Sequence, residues 1–301
     1  MIDGGVKYMR FKRNFNADVN QTGGRQALAG TRIDTQTMPS VSANYLIDKD
    51  WSAYAQVAKG FQAPSEANSF YVSNAQFFSN AIQIKPETSI NYQLGTVFKR
   101  ERFNADADVY FINFDHYAYN GPLDSSGDPT YYGIAKGAHF SGVEAEVTYY
   151  VGAGLSAYAN GSINHGKFKG SKLEVPQVPN ATAALGLVYD KNGFFGSFAE
   201  KYVGQWTVYD TITNPDLPGG GASRSAKSSN YWLGDLSIGY GMKVRHSFIR
   251  SFKVRFQVGN VFNRKIQVLD GIDAVAANAY SKDTFNVLPD RNYFLTVSAE
   301  F

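Results

Sequence analysis

The residues able to do chemistry are few and scattered. Four histidines, His116, His139, His165 and His246, fall far apart, with no H-E-x-x-H and no close pair, so no zinc-type ligand set is legible. Cysteine is absent, which removes thiolate nucleophiles, thiolate metal ligands and disulfides alike. Gly152-Ala153-Gly154-Leu155-Ser156-Ala157 satisfies G-x-G-x-x-A, but Leu155 onward alternates like a strand where a dinucleotide site needs a helix. Neither a G-x-S-x-G elbow nor a phosphate-cradling glycine-lysine loop occurs, so a hydrolase or nucleotidase has no visible machinery. Two carboxylate pairs remain, Asp106 with Asp108 and Glu144 with Glu146. Each pair is spaced by two, hence on one side of a strand. Acid-base work is one use for Glu144 with Glu146; facing a wet lumen is the simpler one, for them and for Asp106 with Asp108. No metal, cofactor or catalytic residue is expected.

The second candidate group is aromatic. Phe70, Tyr71, Phe77 and Phe78 lie in one long connecting segment, and Tyr117, Tyr119, Tyr131 and Tyr132 in another. Flat rings among a few polar groups suit a bulky chelate or sugar. An aromatic girdle at a membrane interface is the competing use.

What must position these residues is a run of alternating segments. In the last, Tyr293, Leu295, Val297, Ala299 and Phe301 share one side, while Asn292, Thr296, Ser298 and Glu300 share the other with Phe294. Phe103 to Phe111 sets alternate apolar residues against Asn104, Asp106 and Asp108. Val143 to Val151 does so against Glu144, Glu146 and Thr148. About twelve such strands are predicted, many of about ten residues, the length that crosses a bilayer at a tilt. Compact turns at Asp48, Lys99, Gly152 and Asp190, and one near Arg245 to Ser251, alternate with long connections. Val6 to Phe15 reads as the first strand, Trp232, Leu236, Ile238, Tyr240 and Met242 mark a later one, and Asn16 to Thr37 is among the stretches read as loop.

The expected fold is therefore all-β: an antiparallel transmembrane β-barrel, with short periplasmic turns and long extracellular loops. Composition agrees. With 20 Tyr, 22 Phe and 29 Gly but only 18% charged residues, the chain is aromatic and low in charge, as a wall polar on one face should be. Carboxylates such as Asp106 and Glu144 would be costly in the dry core of a soluble sandwich. A net charge of +3, without a basic run, gives no reason to expect nucleic acid as a partner. No window of eighteen apolar residues forms a spanning helix, and Met1-Ile-Asp-Gly-Gly-Val-Lys7 lacks the layout of a signal peptide.

Several segments resemble the carboxy-terminal barrel of TonB-dependent receptors, active transporters of the Gram-negative outer membrane. Lys59-Gly60-Phe61-Gln62-Ala63-Pro64-Ser65 is similar to the family's K/R-G-F-x-x-P-S stretch. Lys85-Pro86-Glu87-Thr88-Ser89-Ile90-Asn91-Tyr92-Gln93-Leu94-Gly95 is similar to its P-E-x-S-x-x-Y-E-x-G strand entry, with Gln93 where Glu is usual. Gly142-Val143-Glu144-Ala145-Glu146 follows G-x-E-x-E, Gly259-Asn260-Val261-Phe262-Asn263 resembles N-L-F-[DN], and Pro289 to Phe301 resembles the P-R-x-Y…F terminus.

The resemblance implies capture of a scarce bulky nutrient, most often an iron-siderophore, with transport coupled to the TonB complex through an amino-terminal region. It also implies outer-membrane lipid as surroundings. The family barrel has about 22 strands around a plug. The expectation is thus that residues 1–301 are the carboxy-terminal part of that barrel, without the plug or the first strands, and not transport-competent alone. Twelve strands at about 4.8 Å spacing and ~40° tilt would close at roughly 24 Å across, against roughly 44 Å for 22, leaving no room for a plug. The alternative function is a passive or gated porin-like channel. A soluble β-rich binding module and an outer-membrane enzyme are further from the pattern.

Overall fold

Alternation of apolar and polar side chains over ten or more residues leaves a chain one low-energy solution, an extended strand with different solvents on its two faces. The computed structural model describes residues 1–15, 30–63, 85–120, 132–134, 136–209, 224–244, 248, 250–272 and 283–301. They form eighteen strands. The first nine are β1 (Ile2–Phe15), β2 (Gly30–Leu46), β3 (Trp51–Gln62), β4 (Glu87–Lys99), β5 (Phe103–Asp115), β6 (Ala118–Asn120), β7 (Tyr132–Ile134), β8 (Gly137–Gly152) and β9 (Leu155–Phe168). Then come β10 (Ala181–Lys191), β11 (Phe194–Val203), β12 (Thr207–Tyr209), β13 (Ser225–Lys227), β14 (Tyr231–Lys243), β15 (Ser251–Gly259), β16 (Gln267–Gly271), β17 (Thr284–Val287) and β18 (Asn292–Glu300).

Twelve of these make one antiparallel sheet in the order β1-β2-β3-β4-β5-β8-β9-β10-β11-β14-β15-β18, each strand beside its predecessor in the chain. The remaining six form three hairpins, β6-β7, β12-β13 and β16-β17, all within long connections at one rim. At the other rim the turns are tight. Asn192-Gly193 and Ala153-Gly154 are two-residue hairpin loops in which both residues have positive φ, matching the twist of the strands they join.

Register fixes the two faces. One carries Leu94, Val109, Val143 and Ile163 in a row across β4, β5, β8 and β9. Most of these side chains stand open, Leu94 at 59% and Ile163 at 69%, as a wall meeting hydrocarbon requires. The opposite face carries Gln93, Tyr110, Gly142 and Asn164 in the adjacent row. On that polar face tyrosine rings lie flat across glycines of the next strand. A Cβ on Gly95 would sit 2.5 Å from Tyr54, one on Gly142 2.5 Å from Tyr110, and one on Gly186 2.1 Å from Tyr158.

Two expectations are corrected. Asn16 to Thr37 is not all loop, because β2 begins at Gly30 and pairs with β1 up to Phe15. The first strand starts at Ile2, not Val6. The residues Thr31 to Thr37 show little apolar alternation because there neither face meets hydrocarbon, although the ladder persists.

The glycine contacts separate two cases. At Gly142 a methyl group would also strike the Ile163 carbonyl at 2.5 Å, whereas at Gly186 the three nearest atoms all belong to the swinging end of Tyr158. Gly142→Ala should cost about 1–3 kcal/mol as an overpacked site, and Gly186→Ala should stay within about 0.5 kcal/mol. Urea-unfolding midpoints of the reconstituted protein check this; equal midpoints would refute the distinction.

Candidate functional site: the polar face and the loops above it

Strand pairing brings together the carboxylates that the sequence offers as two separate pairs. Asp106 lies opposite Glu146 and Asp108 opposite Glu144, on the polar face of β5 and β8. Directly opposed like charges destabilise a sheet unless water or cations screen them. The Tyr54 hydroxyl donates to Asp108 Oδ2 at 3.4 Å. Tyr110 donates to Asn164 Oδ1 at 2.7 Å, and Asn164 passes the chain to the Ser162 hydroxyl at 2.9 Å.

Above this band is a pocket of about 420 Å³ lined by Asn91, Gln93, Tyr110, Ile112, Phe114, Phe140 and Glu144. Its floor is amide and carboxylate, its roof aromatic, a mixture suited to a ligand with both polar and apolar parts. Asn91 Oδ1 and Asp108 Oδ1 are buried with no hydrogen-bond partner among the described residues. Sequence reasoning did not single out Asn91, Phe114 or Phe140 as site residues, and marked Gln93 only as a departure from the family pattern. Their common face parity was the available signal.

Over the pocket, the long-loop rim is closed by apolar packing. Ala138, Phe168 and Val175 are buried, with Tyr117, Phe140, Leu173, Val178 and Tyr209 against them. Tyr117 meets Phe114 and Phe168 edge-on, at 5.5 and 6.0 Å between ring centres. Burial first, and the nearby Glu87 carboxylate second, push its phenol above the usual range. A second cluster joins Val208, Leu269 and Ile272 to Trp206 and Ala226. Gln177 donates to Asp270 Oδ1 at 3.0 Å, so the connection after β9 is tied to the one carrying β16.

Of the other aromatic candidates, Tyr119 and Tyr132 sit on β6 and β7, one pairing position apart in the same small hairpin. Phe70, Tyr71, Phe77, Phe78 and Tyr131 lie outside the described residues. His139 and His165 stand on the apolar side of the sheet, beyond its last apolar row. No group of three or more metal-ligating side chains occurs among the described residues. A separate charged cluster on β1 and β2 buries Asp34, which accepts from Arg13 at 2.9 Å and from Arg32 at 2.8 Å.

A meander with one apolar wall, one wet wall and all its long loops at one rim is the wall of a membrane β-barrel. The family described as TonB dependent receptor-like, beta-barrel, matches residues 1–261, and the chain belongs to that family. It is 28% identical over 287 residues to the pesticin receptor of Yersinia enterocolitica, with 91% of this chain and 39% of the receptor covered. The pesticin receptor of Yersinia pestis gives the same identity and coverage. The chain therefore spans well under half the length of these curated relatives. Among solved structures, the copper transporter OprC superposes with a TM-score of 0.71 at 19% identity, covering 98% of this chain and 46% of that one. The ferric yersiniabactin uptake receptor FyuA of Yersinia pestis superposes at 0.66 and 20% identity, covering 100% and 43%.

One carboxylate of the loop body, Glu174, joins the connection after β9 to the β12-β13 hairpin. Glu174 accepts from Lys227 Nζ at 2.6 Å and from the Thr207 hydroxyl. These hydrogen bonds, the lysine's first, hold its carboxyl below the ordinary range against the opposing effect of burial. A depressed pKa means the contribution is present above the unfolded carboxylate's pKa and is lost as pH falls through the folded value. Amide exchange at residues 173–178, taken relative to the intrinsic rate at the same pH, should be slow at pH 7 and speed up on acidification below the usual carboxylate range. In Glu174→Gln it should be fast at both. Exchange unchanged by either treatment would show that the ion pair does not hold this loop.

Proposed function

We propose that this chain supplies wall and loops to an outer-membrane receptor of a Gram-negative bacterium that takes up a bulky ferric chelate, an iron-siderophore, by TonB-coupled transport. The supporting observation is the polar face itself. Opposed carboxylates, amides and tyrosine hydroxyls line a hydrated interior, and apolar-cored loops fold over one end of it. That arrangement suits a receptor that captures ligand at the loop rim and passes it along a wet interior, more than a sieve open at both ends. Membership of the family supports energy coupling, and the likeness to the ferric yersiniabactin uptake receptor favours an iron chelate as cargo.

In this reading Phe70, Tyr71, Phe77, Phe78, Tyr119, Tyr131 and Tyr132, with the exposed part of Tyr117, offer ring faces to the chelate. Asp106, Asp108, Glu144 and Glu146 keep the interior wet. Outer-membrane lipid covers the apolar wall, and the TonB complex acts through an amino-terminal region of the whole receptor.

Iron-limited cells fed a labelled ferric siderophore provide the test. Accumulation should fall to background when the receptor gene is deleted and when the proton gradient of the inner membrane is dissipated. Uptake surviving the second treatment would leave a passive channel as the better description. Tyr131→Ala with Tyr132→Ala should weaken chelate binding about tenfold, at ~0.5–1.5 kcal/mol per lost ring contact, without affecting insertion. Unchanged affinity would remove those two rings from the site.

A further inference from the structure

At the long-loop rim one carboxylate has a use that the wall itself does not require. Glu87 opens β4 and shares the parity of Asn91 and Gln93, so it faces the interior. It stands beyond Ile90, where the outward apolar residues of β4 end, by about 10 Å along the strand at ~3.3 Å per residue. It is therefore above the hydrocarbon. Its Oε1 accepts from the Ala118 amide at 2.6 Å.

Ala118 begins β6, where the chain has left the main sheet, and two features bring it to Glu87. His116 takes a left-handed φ of 60°, which turns the chain off the end of β5, and its amide donates to the Lys136 carbonyl at 3.3 Å. Tyr117 then sinks among Phe114, Phe140 and Phe168, with ring centres 5.5, 5.7 and 6.0 Å away. Phe114 and Phe140 also line the pocket below. With Tyr117 held in that cluster, the next amide meets the half-buried Glu87 carboxyl.

We propose that Glu87 is a positioning residue, seating the start of the connection between β5 and β8 on the inner wall, and that its protonation sets how firmly the seat holds. The seat fixes where β6 and its partner β7 stand beside the pocket, and these strands carry Tyr119 and Tyr132. The receptor reading gives the seated loop its use, ligand capture; the contact stands without it.

The pH dependence is opposite in sign to that of Glu174. Burial is the larger influence on the Glu87 carboxyl and raises it above the ordinary range, with the Ala118 amide opposing. No ion pair offsets that burial among the described residues. From β3 the neutral Gln62 lies opposite, and the Tyr117 phenol feels the Glu87 charge. Asp115 at the end of β5 is turned outward and paired with Lys169. His116 and Lys136 meet each other through their backbones, and Lys85 is exposed. A raised carboxyl favours the seated state when neutral. That contribution is complete below the unfolded carboxylate's pKa and is lost as pH rises through the higher folded value. The neutral carboxyl still accepts from Ala118 through its carbonyl oxygen. Acidification thus tightens this loop while it loosens the one held by Glu174.

Amide exchange in the whole receptor, reconstituted in lipid vesicles without ligand, tests the seat. Relative to the intrinsic rate at each pH, exchange at Ala118 should slow as the medium passes from mildly alkaline to mildly acid. Glu87→Ala removes the acceptor and should speed it about tenfold at every pH, the loss expected for one unpaired amide. Glu87→Gln keeps an acceptor of equal reach that does not titrate, so it should hold the amide at the acid-side level throughout. Amides of residues 90–98 should be unchanged in both variants, which reports an intact wall. If Glu87→Ala does not insert, the flat profile of Glu87→Gln carries the test alone. Unchanged exchange at Ala118 in Glu87→Ala, or a pH response surviving in Glu87→Gln, would overturn the seat and leave the receptor reading standing. Siderophore uptake that outlasts the proton gradient would do the reverse.

Discussion

Everything in this architecture follows from a backbone that must find its hydrogen bonds within itself. Hydrocarbon offers no partner to a peptide group, so a chain crossing it in strands must pair each strand along its length. A meander does this with the least connection, and each of the twelve main strands lies beside the one before it. Once the ladder is fixed, the period of two settles every side chain's solvent. That leaves no freedom to bury a core between layers. Among the described residues, buried apolar side chains are therefore found at the loop rim, in small clusters around Phe168 and Val208, and not along the spanning strands.

The polar face has a corresponding constraint. Asp106 opposite Glu146 and Asp108 opposite Glu144 place four acidic groups within two adjacent strands. In a dry interior each uncompensated charge would cost several kcal/mol. Water, or a cationic occupant, makes the arrangement tolerable. Glycine under tyrosine works toward the same end. By laying Tyr54, Tyr110 and Tyr158 flat, the glycines keep rings close to the wall, and the Tyr54 and Tyr110 hydroxyls donate to Asp108 and Asn164. The polar face is thus acidic at mid-height, then amphipathic in the Asn91 to Phe140 pocket, then apolar where the loops close.

Much of this was legible from spacing alone. The facing of Phe103 to Phe111, Val143 to Val151 and Trp232 to Met242 agrees with the observed register, because in those segments two solvents differ sharply and the pattern is strong. Legibility fails where the solvents become alike. Above the hydrocarbon both faces are wet, so Thr31 to Thr37 looked like loop although it pairs with β1. The hairpins β6-β7, β12-β13 and β16-β17 were missed because strands of three to five residues are too short to display a period of two. Opposition of the acidic pairs required cross-strand register, which spacing within one strand does not contain. Tyr117 was visible as a loop aromatic, but its packing against Phe114 and Phe168 depends on three separate segments meeting.

Glu200 tests the rule that the outward wall is apolar, and its neighbours explain the exception. It stands on the outward side of β11, between Phe198 and Tyr202, where the sequence breaks its alternation with Glu200-Lys201. The turn after β15 folds back over this spot. Asn260 pins that turn by accepting from the Arg264 amide and donating to the Arg264 and Pro289 carbonyls. Phe262 then packs edge-on against Phe198 at 6.2 Å, in the space left by Gly234, and Arg264 pairs with Glu200. The carboxylate is left 14% exposed, below the Tyr202–Trp232 aromatic pair. An isolated charge at this height would be expelled from lipid. Paired through Oε1 with Arg264 and roofed by Phe262, the carboxylate is partly compensated, while its Oε2 stays buried with no hydrogen-bond partner among the described residues. The N-x-F-N turn thus serves the outward wall, supplying a partner to the one acid that the strand presents to lipid.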